Sequence, residues 1–77
     1  MTDYDALAKS AYNKQQAIKR LTATDWVELP SIRQVNISPF LCNFAEFSAY
    51  RRGLRRIAID PPEENILWPE KPVPIWS

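Results

Sequence analysis

A small, mainly α, open fold follows from three features of the sequence. Two segments carry apolar residues at helical spacing, a stretch from 22 to 42 without sustained period separates them, and residues 60–77 hold five of the seven prolines. The expected architecture is two helices joined by a long extended connector, followed by a Pro-rich extended C-terminal tail. The 77 residues form one unit, open rather than compact.

The first helix is predicted over residues 3–21. Tyr4, Leu7, Ala8, Ala11, Ile18 and Leu21 recur at spacings that place them on one stripe. Thr2 is positioned to cap the helix with Asp5 three residues on. Asp3 and Asp5 sit at the positive end of its dipole, and Lys14, Lys19 and Arg20 toward the negative end. Alanines thin the stripe and Lys14 and Gln15 interrupt its middle, so the helix needs another surface to rest on.

The connector 22–42, TATDWVELPSIRQVNISPFLC, carries Pro30 and Pro39 and reads as mostly extended. It is long against the usual connection of about 4–6 residues, which argues for docking or an open shape. Trp26, Val27 and Leu29 form an apolar clip in it, and the simplest place for Trp26 is over the following helix.

Residues 43–59 give the clearest helix. Asn43 is a good N-cap, Glu46 is placed to reach back to it, and Cys42 precedes the cap as a staple toward Phe47. Phe44, Phe47, Tyr50, Leu54, Ile57 and Ala58 share one face, with Arg52 and Arg56 nearly opposite and Arg51 and Arg55 on a shoulder. Gly53 inside the helix costs about 1 kcal/mol relative to Ala, which suggests close approach by another element. Asp60-Pro61-Pro62 ends the helix, because proline disfavours helical geometry in the residue before it.

In the tail, the proline spacing suits neither helix nor central strand. Polyproline II with a short edge strand at Asn65 to Trp68 is the expectation. Trp68 and Trp76 then require apolar partners. Either the tail docks on another protein, with the two tryptophans as anchors, or it straps the chain's own second helix.

The composition excludes most chemistry. With no His, the Ser-His and Cys-His nucleophile pairs and the His-containing metal triads are unavailable. The lone Cys42 rules out an internal disulfide and reads as a buried thiol, and one glycine cannot build a phosphate-cradling loop. Asp60, Glu63, Glu64 and Glu70 match no calcium loop. No cofactor, metal, catalytic residue or small-molecule substrate is expected. The formal charge of +1 creates no global attraction to nucleic acid or membrane. The opening MTDYDALAKS lacks the apolar stretch of a signal peptide, so the chain is expected to be intracellular when made.

Arg51, Arg52, Arg55 and Arg56 are the strongest charge feature. Combined with Phe47, Tyr50 and Trp68 they offer a single-stranded nucleic-acid platform, a distant third reading given the near-zero net charge. Arg51 and Arg55, four residues apart, suit planar two-toothed hydrogen bonds at a protein interface. The candidate partner-binding residues are Trp26, Tyr50, Arg51, Arg55, Trp68, Pro69, Pro72 and Trp76.

The phrases TATDWVELP at 22–30, AYRRGLRRIAI at 49–59 and ILWPEKP at 66–72 stand in a distinctive order. Over about residues 12–72 the chain resembles the tail assembly chaperone-like and tail fibre assembly proteins of tailed bacteriophages. The matching positions are Lys19, Arg20, Asp25, Trp26, Tyr50, Arg51, Leu54, Arg55, Trp68, Pro69, Lys71 and Pro72. The stretch SIRQVNISPFLCN is longer and more apolar than the linker of that pattern. The resemblance implies a non-enzymatic viral protein that binds a phage tail, tail-fibre or baseplate protein in the host bacterial cytoplasm and assists its assembly, either as a transient chaperone or as an accessory retained in the virion tail. Its alternative is a permanent structural adaptor of the tail or baseplate.

Overall fold

The computed structural model describes residues 4–77, so the expected cap by Thr2 and the dipole contact of Asp3 lie outside the described residues. Two helices dominate: α1, Tyr4–Ala23, and α2, Phe44–Ile59. The only β pairing among the described residues is an isolated antiparallel bridge between Leu41 and Trp76. The small, mainly α, open fold is therefore as expected. Its radius of gyration is 15.5 Å and its extents 57 × 17 × 14 Å, whereas a compact chain of this length has a radius of about 11–12 Å. The accessible surface of 5596 Å² likewise exceeds the roughly 4,900 Å² typical of a compact protein of this mass.

The helices run antiparallel. Leu21, near the end of α1, meets Arg51 in the middle of α2, while Ser10 and Asn13 meet residues 61–64 just beyond it. The tail then turns back and follows α1 in direction. Trp68 lies against Arg20, Pro69 beside Gly53, and Trp76 beside Trp26 and Leu41.

The face that α1 turns inward is not the predicted stripe. Asn13 and Ala17 are buried, whereas Tyr4, Leu7, Ala8, Ala11 and Ile18 are exposed and only Leu21 of the stripe is half-buried. The reason is division of volume. α2 supplies the bulky buried side chains, Phe47, Tyr50 and Leu54, so a close neighbour must present small ones. The opposite face of α1 offers Ala6, Ser10, Asn13 and Ala17.

On α2 the expected apolar face is correct in direction. Phe47, Tyr50 and Leu54 are buried, Phe44, Ile57 and Ala58 are half-buried, and Arg52 and Arg56 are exposed. A second small core gathers Val27, Leu41 and Phe47, with Trp26, Ile32 and Phe44 packed on it. Trp26 does pack on the following helix, edge to face with Phe47 at 5.5 Å between ring centroids.

Three expectations about the connector and cap are corrected. The connector contains two 3₁₀ turns, Asp25–Glu28 and Pro30–Arg33, rather than a mostly extended chain. Such turns need only a few i→i+3 bonds, here Val27 N–H to the Thr24 carbonyl at 3.0 Å and Ile32 N–H to that of Leu29 at 3.3 Å. Four residues are too few to show a period, and Pro30 presets the second turn. Asn43 immediately precedes α2 but makes no side-chain capping bond, because its amide is taken by the tail. Cys42 is exposed rather than buried. Its backbone N–H reaches the Ile75 carbonyl at 2.7 Å, which holds this residue at the edge where the tail lies.

The tail forms no strand at Asn65 to Trp68. It is anchored at both ends instead. At its start, the buried Asn13 Nδ2 donates to the carbonyls of Pro62 and Glu64, both at 2.9 Å. At its end, Phe40 and Ser77 exchange backbone bonds of 2.9 and 3.0 Å.

Candidate functional site

The TDWVE stretch and the arginine-rich helix meet at Arg51. From α2, its buried guanidinium donates Nη1 to the Leu21 carbonyl and to Thr24 Oγ1, each at 2.7 Å. Nη2 donates to Asp25 Oδ1 at 2.9 Å, and Nε stands 3.3 Å from Glu28 Oε2, a charge contact without hydrogen-bond alignment. The carbonyls ending a helix carry partial negative charge and lack intrahelical partners, so a guanidinium there satisfies them and the dipole together. Thr24 joins the same knot, its hydroxyl 3.1 Å from the Arg20 carbonyl.

The expected interface role of Arg51 is therefore filled inside the chain. Its planar fork is used on a helix end and two carboxylates of the connector. Arg55 remains about half exposed, with Nη2 3.7 Å from the same Glu28 oxygen. Tyr50 is also buried within the fold.

The tail residues are likewise engaged within the chain. The half-buried Trp68 ring receives the Arg20 guanidinium at 4.1 Å from its centroid. Pro69 packs beside Gly53, where an added Cβ would stand 3.4 Å from Pro69 Cγ. This is the close approach expected at that glycine, although at this distance it does not demand one. Pro72 is half-buried. Trp76 tilts against Trp26 with centroids 5.7 Å apart and is still 47% exposed. Of the two expected modes for the tail, the strap on the chain's own helices is the one the structure adopts.

Sequence reasoning missed the two asparagines that fasten this strap. Asn43 Nδ2 donates to the Val73 carbonyl at 2.8 Å while its Oδ1 accepts from Ile75 N–H at 2.9 Å. Asn13 does comparable work at the other end. A side-chain amide has the donor and acceptor geometry of a peptide group, so it can pair with a proline-interrupted backbone that cannot sustain a ladder. One signal was available: Asn13 shares a helical face with Ser10 and Ala17, in a chain whose proline-rich tail needs donors for its carbonyls.

On α2 and the tail, the outward groups include Arg52, Arg56, Leu67, Val73, Ile75 and Trp76. A hollow at the end of α2, lined by Arg56, Ile57, Ile59, Asp60 and Pro62, is open and mostly apolar. Among the described residues no three His, Cys, Asp or Glu side chains gather as metal ligands, and no helix is long and apolar enough to cross a membrane.

No family model matches the chain, and neither does any curated protein or solved structure.

Proposed function

We propose that this chain is a non-enzymatic accessory protein of a tailed bacteriophage. It binds a tail or tail-fibre polypeptide in the host cytoplasm and assists its folding or assembly, leaving with the mature particle or before it. The observation that carries the reading is a convergence. The segments behind the resemblance are far apart in sequence, yet Asp25 pairs with Arg51, Pro69 packs beside Gly53, and Arg20, just before the first phrase, covers Trp68. Several positions behind the resemblance, Arg20, Asp25, Arg51, Trp68 and Pro69, thus make contacts within the module.

Partner capture then falls to what the strap leaves outward. The half-exposed Trp76, with Val73 and Ile75, forms an apolar edge at one end of the rod. Aromatic residues in such positions are frequent anchors of binding. The test is co-expression with the tail and tail-fibre proteins of a phage that encodes the chain, followed by pull-down and peptide mapping of purified particles. A soluble complex with one of them, lost on Trp76→Ala with the helical signal kept, is the expected result. Absence of any complex, with normal particles after deletion of the gene, would overturn the proposal. An essential, fixed stoichiometry in the particle would favour the permanent adaptor.

A further inference from the structure

The outward face of α1 is the largest feature that the tail-binding reading does not use. Its residues Tyr4, Leu7 and Ile18 are 79%, 61% and 46% exposed, and Ala8 and Ala11 between them are exposed as well. At 100° per residue these five fall within a sector about 100° wide, which Gln15 and Thr22 share. An apolar helix stripe normally faces a core, and here the core is already served by the opposite, small-residue face.

We infer that this stripe is the contact between two copies of the chain, packed with their α1 helices antiparallel. Charge placement selects this occupant. Asp5 lies near the start of α1 and Lys19 near its end, both exposed and both on the same flank of the stripe by helical angle. In an antiparallel pair, like flanks face each other, as between facing positions of an antiparallel coiled coil. Asp5 of one copy then meets Lys19 of the other, and the two-fold axis repeats the pair. A parallel pairing would instead set acidic starts and helix dipoles side by side.

The register follows from the same alignment. Pairing residue 5 with 19 puts the two-fold axis at Tyr12, with Ala11 of each copy beside it, where a small side chain lets the backbones approach. It also places Ile18 of each copy between Tyr4, Leu7 and Ala8 of the other. None of these side chains joins the internal contacts of the chain described above, so the dimer forms without disturbing the strap. A single helix face is smaller than the roughly 800 Å² per partner of a standard interface. The association is accordingly reversible and concentration-dependent.

The test is sedimentation analysis of the full chain over a wide concentration range. The wild type should move from monomer to dimer, and Leu7→Lys with Ile18→Lys should abolish the dimer while circular dichroism stays unchanged. Asp5→Lys alone and Lys19→Asp alone should each weaken self-association about tenfold, since each places two like-charge contacts in the interface. Mixing those two variants should restore association as a heterodimer. Position 5 of the first variant, now basic, faces position 19 of the second, now acidic, while the native Lys19 of the first meets the native Asp5 of the second. A wild type that stays monomeric throughout would overturn the inference, as would stripe variants that still dimerise or a mixture no tighter than its components. Loss of dimerisation with intact capture of a tail protein would separate this surface from the one proposed above.

Discussion

Arg51 Nη1 on α2 donates to the carbonyl oxygen of Leu21 in the last turn of α1 at 2.7 Å, so one helix caps the other through a buried side chain. The same nitrogen reaches Thr24 Oγ1, which is itself buried. Removing the guanidinium would take the charged donor from the Leu21 carbonyl and from Thr24 Oγ1, which keep only their local bonds to each other and to the Arg20 carbonyl, whereas removing an acid touches only the exposed side of the knot. The side chains of Asp25 and Glu28 are 63% and 46% exposed.

Arg51→Ala should therefore destabilise by about 2–4 kcal/mol, the cost of losing charge-assisted hydrogen bonds together with the packing of a buried side chain. Asp25→Asn should cost no more than about 1 kcal/mol, because its carboxylate is largely solvated. Arg51→Lys should fall between, since an ammonium cannot span both acceptors and the acids. Urea unfolding followed by circular dichroism orders the three, and equal losses for Arg51→Ala and Asp25→Asn would contradict the capping account.

Asn43 separates capping from clamping. If it fastens the tail, Asn43→Asp should cost about 1–3 kcal/mol despite Asp being an equally good N-cap, because the donor to the Val73 carbonyl is lost. Amide exchange of Ile75 and Ser77 should accelerate in that variant. A variant as stable and as protected as wild type would assign Asn43 to the cap.

The contact between Arg20 and Trp68 is measurable by a double-mutant cycle with Arg20→Ala and Trp68→Ala. At 4.1 Å and partly buried, the coupling should be about 0.5–2 kcal/mol. Additive losses would reduce the stacking to mere proximity.

Leu54 and Leu7 test which faces are buried. Leu54 is fully buried and Leu7 mostly exposed, so Leu54→Ala should cost about 2–5 kcal/mol and Leu7→Ala, in the monomer at high dilution, within about 0.5 kcal/mol. Comparable losses at the two positions would mean that α1 turns its stripe inward.

Gly53→Ala should raise stability by up to about 1 kcal/mol, because the new methyl meets Pro69 Cγ at an ordinary contact distance while the helix gains propensity. A marked loss would show that the tail sits tighter against α2 than 3.4 Å implies.

The two helices, the stop of α2 and the open shape were legible in the sequence, because each rests on local chemistry. The spacing of Phe47, Tyr50 and Leu54 specifies a buried face, Asp60-Pro61-Pro62 stops α2, and the absence of stapling chemistry limits the core. The apolar stripe of α1 was legible too, but not its direction. Periodicity says which residues share a face, whereas the partner's shape decides which face is covered, and the bulk of α2 selected the small one. The 3₁₀ turns escaped because four residues carry no period, and the exposure of Cys42 because it depends on a tail more than thirty residues away. Arg51 and Asn43 illustrate the same limit most directly. Their hydrogen-bonding capacity is written in their chemistry, yet only the return of the tail and the antiparallel helices brought the Leu21, Val73 and Ile75 backbone within reach, turning an expected outer contact and an expected cap into internal fasteners.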